Sequence, residues 1–131
     1  MSNHPDTLHH LQQALRVFSQ ERAWEKFHSP KNLCMALSVE AAELLEHFQW
    51  LTEEESRTLP APKQQAVADE VADVLLYLLQ VCNQLNIDPI EAAQRKLVKN
   101  ALKYPAPWPS QAASDALKPE SAERETPDAA E

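Results

Sequence analysis

Apolar residues return every three or four positions along most of the first hundred residues, and nowhere do they alternate at the two-residue period of a strand. Leu8, Leu11, Leu15 and Phe18 make one such stripe, which predicts a first helix from about Pro5 to Phe27 with the proline at an early helical position. Ser29-Pro30 reads as an N-cap followed by proline at the first helical position, opening a second helix through about Trp50. Thr52-Glu53-Glu54-Glu55 matches a capping box, so a short helical turn is predicted before Leu59-Pro60-Ala61-Pro62 interrupts the chain. A third helix, about Lys63 to Leu85, is apolar nearly all round between Val74 and Cys82, and a helix of that kind is expected to be covered on every side. Asp88-Pro89-Ile90-Glu91 again offers an N-cap, a proline and an N3 glutamate, opening a fourth helix to about Tyr104. With connections this short, the expected fold is all-α, an antiparallel four-helix bundle-like protomer.

Beyond Tyr104 the composition turns to Pro, Ala, Ser and Glu, with little left to bury. The expected organisation is therefore one helical domain over residues 1–105 and a disordered acidic tail over residues 106–131. Charge follows the same division. The tail has two basic residues against six acidic ones, and the body ten against fourteen, within a total of −8. That balance argues against a nucleic-acid polymer or an anionic membrane surface as the main partner. The complete lack of glycine removes further options, because Gly-rich phosphate loops and dinucleotide fingerprints cannot be built without it. Any phosphate handling must then use side chains and metal. Cys34 and Cys82 stand in apolar helical sequence with no metal-binding spacing and are expected to be buried free thiols. The N-terminus carries no apolar leader and no run is long enough to span a bilayer, so a cytoplasmic protein is expected.

Against that background four acidic residues stand out. Glu40 and Glu43 are spaced i,i+3 in the second helix, and Glu70 and Asp73 are spaced i,i+3 in the third. Each pair lies on one side of its helix. Glu40 and Glu43 share that side with Leu33, Ala36, Leu37, Leu44 and His47, and Glu70 and Asp73 share theirs with Val67, Val74, Tyr77 and Val81. Carboxylates among apolar neighbours demand a compensating cation, and oxygen donors alone select a hard ion, Mg²⁺ or Mn²⁺. A di-iron bundle would need Glu-x-x-His pairs, and none of the four has histidine three residues on. Mg²⁺ held by a few carboxylates keeps positions for water and phosphate oxygens, which points to phosphoryl chemistry with one carboxylate as general base. Near the end of the fourth helix, Lys96, Lys99, Asn100 and Lys103 share one side, with Arg95 beside them, and supply donors a triphosphate needs. Trp24, His28 and Trp50 flank the second helix, where their rings can stack on a nucleobase or pack in the core or between subunits.

These segments together resemble the MazG-like, all-α nucleoside triphosphate pyrophosphohydrolases, in particular the dCTP pyrophosphatase branch. The carrying stretches are Arg22-Ala23-Trp24-Glu25-Lys26-Phe27-His28-Ser29-Pro30-Lys31-Asn32-Leu33, Glu40-Ala41-Ala42-Glu43-Leu44 through Phe48-Gln49-Trp50, Asp69-Glu70-Val71-Ala72-Asp73-Val74-Leu75-Leu76-Tyr77, and Lys96 to Asn100 with Tyr104-Pro105. The resemblance implies Mg²⁺-dependent hydrolysis of a nucleoside triphosphate, dCTP or a modified dCTP, to monophosphate and pyrophosphate. It implies Glu40, Glu43, Glu70 and Asp73 as metal ligands and catalytic residues. It further implies that Trp24, His28, Trp50 and Tyr77 line the base and sugar pocket, and that Lys31, Lys96 and Asn100 hold phosphate or ribose. Such proteins assemble as dimers or tetramers, so a homo-oligomer is expected. The competing readings are a non-catalytic helical oligomer with a structural acidic cluster and a related hydrolase acting on dUTP or phosphoribosyl-ATP.

Overall fold

The computed structural model describes residues 7–107, which contain five α-helices, one 3₁₀ turn and no strand. The helices are α1 (Leu8–Glu21), α2 (Pro30–Glu46), α3 (Glu53–Arg57), α4 (Ala61–Leu85) and α5 (Pro89–Lys103), with the 3₁₀ turn at Glu25–Phe27. Nearly all of the expected acidic tail, and the expected helix start at Pro5, lie outside the described residues. The all-α class is as the periodicity predicts. The chain divides into two compact units, one through Pro89 and one from Ile90 that contains α5.

Local chemistry explains most of the helix starts. Thr7 Oγ1 accepts from His10 N to cap α1, and Ser29 Oγ accepts from Asn32 N to cap α2, with Pro30 supplying a preset φ at its first position. Thr52 and Glu55 form the anticipated capping box of α3, the side chain of each accepting from the other's backbone N–H. Pro60 and Pro62, expected to interrupt the chain, instead flank the start of α4, where a missing N–H leaves no helical bond unmade.

Two helices end earlier than their patterns predict. α1 stops at Glu21 and not near Phe27, because Ala23 takes the left-handed conformation, φ 52°. Trp24 N–H then reaches back to Ser19 O and Ala23 N–H to Gln20 O, the two bonds of a Schellman motif. Glycine ordinarily fills that position. In a chain without glycine, alanine does so here and Asn86, φ 53°, does so at the end of α4, with Ile87 N–H on Cys82 O. α2 ends at Glu46 and not Trp50, its last turn tightening into i→i+3 bonds such as Phe48 N–H to Leu45 O.

α4 organises the first unit, with α2 and α1 against it. Rising positions on α1 meet falling positions on α4: Gln12 Nε2 donates to Asn83 Oδ1 at 3.0 Å, and Gln80 Nε2 donates to Ser19 Oγ at 2.8 Å. α1 and α4 are therefore antiparallel, pinned by buried polar residues whose hydrogen bonds offset their desolvation. The buried apolar residues are few: Leu33 of α2 with Leu79 and Cys82 of α4. Cys34, expected to be buried, is exposed on α2. The expectation that α4 is covered all round also fails within one chain, since Val71 is 50% and Leu78 is 45% exposed. α1 and α2 cover only the sides of α4 turned toward them. Among the described residues no helix is long and apolar enough to cross a membrane.

Candidate active site

Where α2 lies against α4, Glu40 and Glu43 meet Glu70, and one carboxylate oxygen from each lies within 4.8 Å of the others. The i,i+3 spacing on α2 puts the first two on one side, and helix packing supplies the third. Glu40 and Glu70 are half-buried and Glu43 is exposed. Glu40 Oε2 and Glu70 Oε2 are both buried without a hydrogen-bond partner. His47 Nε2 stands 3.7 Å from Glu70 Oε1 and is the one basic group placed on the cluster among the described residues. Glu40 holds its proton above the usual glutamate range. Burial is the main cause, followed by its hydrogen bond with Glu43 and by the negative charges of Glu43, Asp73 and Glu70.

An assembly of this kind is costly as it stands, because anionic oxygens have been taken out of water and given one another for company. Two orphaned buried oxygens and a third carboxylate at ligand spacing fit a hard divalent cation, which uses oxygen donors and keeps waters in its remaining positions. Asp73 is exposed and lies outside the close trio, although its charge acts on Glu40. It stands one turn beyond Glu70 on α4 and forms the rim of a neighbouring cleft.

That cleft, of about 160 Å³, is lined by Asp73, Leu76, Tyr77 and Gln80 of α4, Leu15 and Phe18 of α1, and Trp24 and His28 from the segment between α1 and α2. The early end of α1 is what turns Trp24 and His28 toward α4. Phe18 meets Trp24 edge-on with ring centroids 5.6 Å apart, and Trp24 meets His28 edge-on at 6.1 Å. Such edge-to-face contacts hold the rings at fixed angles and leave ring faces for another planar group. His28 Nδ1 is buried without a partner. Three of the four residues named for a base and sugar pocket, Trp24, His28 and Tyr77, thus share one cleft with Asp73. The fourth, Trp50, is 87% exposed beyond the end of α2 and does not line it. Lys31 is exposed in the first turn of α2. Lys96 and Asn100 belong to the second unit, four residues and one turn apart on α5. Gln80, Leu15, Phe18 and Leu76 were not singled out by motif; the apolar three carry only the signal of core residues.

An all-α protein with a carboxylate cluster beside an aromatic cleft is the class defined by this fold and site, and comparison with known proteins makes it specific. Residues 35–115 match the model of the MazG-like family, and the chain belongs to that family. It is 37% identical over 106 residues to dCTP pyrophosphatase 1 of Homo sapiens and 36% identical over 101 residues to dCTP pyrophosphatase 1 of Mus musculus. Each alignment covers 76% of this chain, but the chain spans only about three-fifths of the length of these relatives, 60% and 59% respectively. The crystal structure of a pyrophosphatase from Archaeoglobus fulgidus superposes with a TM-score of 0.72 at 43% identity, covering 81% of this chain and 99% of that one.

Proposed function

We propose that this chain is a Mg²⁺-dependent nucleoside triphosphate pyrophosphohydrolase that converts dCTP, or a base-modified dCTP, to the monophosphate and pyrophosphate. The observation that carries this reading is the pair of orphaned buried oxygens on Glu40 and Glu70, in a cluster whose next acidic neighbour, Asp73, rims an aromatic cleft. The names of the relatives, dCTP pyrophosphatase 1, support the substrate.

Glu40, Glu43, Glu70 and Asp73 would hold Mg²⁺, with Mn²⁺ as the alternative ion. Bound there, the ion supplies charge neutralisation for the carboxylates and for the negative oxygens of a triphosphate. The rest belongs to the chain's own side chains. Trp24 and Tyr77 hold the base and sugar between ring faces, and His28 offers Nδ1 as a hydrogen-bonding atom. Lys31, Lys96 and Asn100 hold phosphate or ribose. Trp50, exposed in the single chain, serves a pocket only if a neighbouring subunit closes over it. One carboxylate of the four would receive the proton of the attacking water.

The same reading makes the protein a homo-oligomer, a dimer or a tetramer. Val71, Leu75 and Leu78 form an uncovered apolar stripe on α4, and Met35 and Val39 form another on α2. A cleft of 160 Å³ is also smaller than the roughly 300–1,000 Å³ of a complete small-molecule pocket, as expected if a partner subunit adds a wall. Two free cysteines suit a reducing cytoplasm. The experiment that tests the function is a panel of nucleoside triphosphates, including dUTP and phosphoribosyl-ATP, assayed with Mg²⁺ for both monophosphate and pyrophosphate. The expected result is stoichiometric release of the two from dCTP. Release of orthophosphate instead, or binding of no nucleotide at all, would contradict it.

A further inference from the structure

Two neutral polar side chains of α4, Tyr77 and Gln80, line the aromatic cleft, and Gln80 is tied to another helix. Gln80 is 7% exposed, and its Nε2 donates at 2.8 Å to the hydroxyl of Ser19, which is itself 3% exposed and lies on α1 away from the cleft lining. With one Nε2 hydrogen engaged there, Gln80 keeps Oε1 as its acceptor. Beside Trp24 and Tyr77 that oxygen is an acceptor available to a donor on a molecule that enters the cleft.

Its position says what that donor is. Asp73, Tyr77 and Gln80 follow one another at i, i+4 and i+7 on one side of α4. Seven residues of helix rise about 10 Å, so Gln80 stands from Asp73, at the cleft's rim, at about the distance that separates the 5′-phosphate of a nucleotide from the far edge of its base. We propose that Gln80, held by Ser19, is a specificity residue that reads the exocyclic group of the base. Oε1 accepts a hydrogen bond from an amino group, as on cytosine, and opposes the carbonyl oxygen that uracil and thymine carry at the same place. The inference rests on the nucleotide hydrolase reading above and goes further by naming what sets its base preference. Two acceptors facing each other repel and cannot bond, which selects against the carbonyl base by roughly tenfold to a hundredfold.

The test is steady-state hydrolysis of dCTP and dUTP with Mg²⁺ by the full chain and by Gln80→Leu, Gln80→Glu and Ser19→Ala. The wild type should favour dCTP in kcat/KM by about tenfold or more. Gln80→Leu should bring the ratio close to one, mainly through a higher KM for dCTP with kcat preserved. Gln80→Glu, which keeps an acceptor, should retain the preference. Ser19→Ala, which frees the amide to rotate and offer Nε2 to a carbonyl, should narrow the preference by improving dUTP. Because Gln80→Leu removes a buried interhelical bond and can fail to fold, Ser19→Ala and Gln80→Glu test the same point with the amide or its acceptor in place. A dCTP-to-dUTP ratio unchanged by Gln80→Leu and Ser19→Ala, or a wild type that does not favour dCTP, overturns the role of Gln80 and leaves the hydrolase reading standing. A wild type that hydrolyses neither nucleotide overturns the hydrolase reading itself and this inference with it.

Discussion

Glu40 on α2 and Glu70 on α4 face each other with ligand oxygens no more than 4.8 Å apart, and each keeps its Oε2 buried with nothing to accept from. In the absence of a cation this is a destabilising relationship, maintained by the packing of α2 on α4. The first expectation follows from removing one of the charges. Glu40→Gln or Glu70→Gln should raise the melting temperature of the protein in EDTA while lowering turnover with Mg²⁺ by about a hundredfold or more. Thermal unfolding and initial rates on the same preparations check it; a variant that loses stability in EDTA would mean that the cluster is held by contacts of its own.

The raised proton affinity of Glu40 has a definite sign in stability. Its folded-state pKa lies above the ordinary glutamate value of 4.5, so the protonated folded protein is favoured at low pH and that contribution is lost as pH rises through the folded value. In EDTA, wild type should therefore lose stability relative to Glu40→Gln as the pH rises from about 4.5 through the raised value of Glu40. Saturating Mg²⁺ should remove the difference in slope, because the cation takes the proton's place. Melting curves across pH, with and without Mg²⁺, read this directly.

Ala23 is held at φ 52° to end α1, where a β-carbon is unfavourable by about 1 kcal/mol or more. Ala23→Gly should stabilise the protein by about 1 kcal/mol, seen as a higher urea midpoint at unchanged slope. Activity should be preserved, since the Schellman bonds that aim Trp24 at the cleft remain.

The apolar stripe of α4 supplies a further expectation. Val71→Asp with Leu78→Asp should leave a helical protein of monomeric mass by light scattering, with nucleotide affinity lost if a neighbour completes the pocket. An unchanged mass would place the subunit contact elsewhere.

Much of this was legible along the chain, and the legible features share a property: they are local. Ser29-Pro30 and Thr52 with Glu55 are caps whose bonding groups lie within three residues, so spacing alone predicts them. The i,i+3 carboxylates are local in the same sense, and their apolar neighbours indicate the side of the helix they occupy. The end of α1 was hidden because the residue that breaks it is an alanine, a strong helix former in a place where glycine would have marked the stop. Gln80 was hidden because one glutamine in an apolar helix has no motif; its meaning comes from Ser19, 61 residues away on another helix. The apolar circumference of α4 predicts cover on every side, whereas α1 and α2 leave Val71 and Leu78 exposed. Periodicity measures the demand for burial, and a neighbouring helix or a neighbouring chain can meet it equally well.

The most direct measurement is a time course of dCTP incubated with the protein and Mg²⁺, followed by phosphorus NMR, alongside the same reaction with Glu40→Ala and Glu70→Ala. The account predicts that dCMP and pyrophosphate appear in equal amounts with wild type, that EDTA abolishes both, and that either variant is slower by about a hundredfold or more. Equal rates for wild type and both variants, or hydrolysis that persists in EDTA, would contradict it.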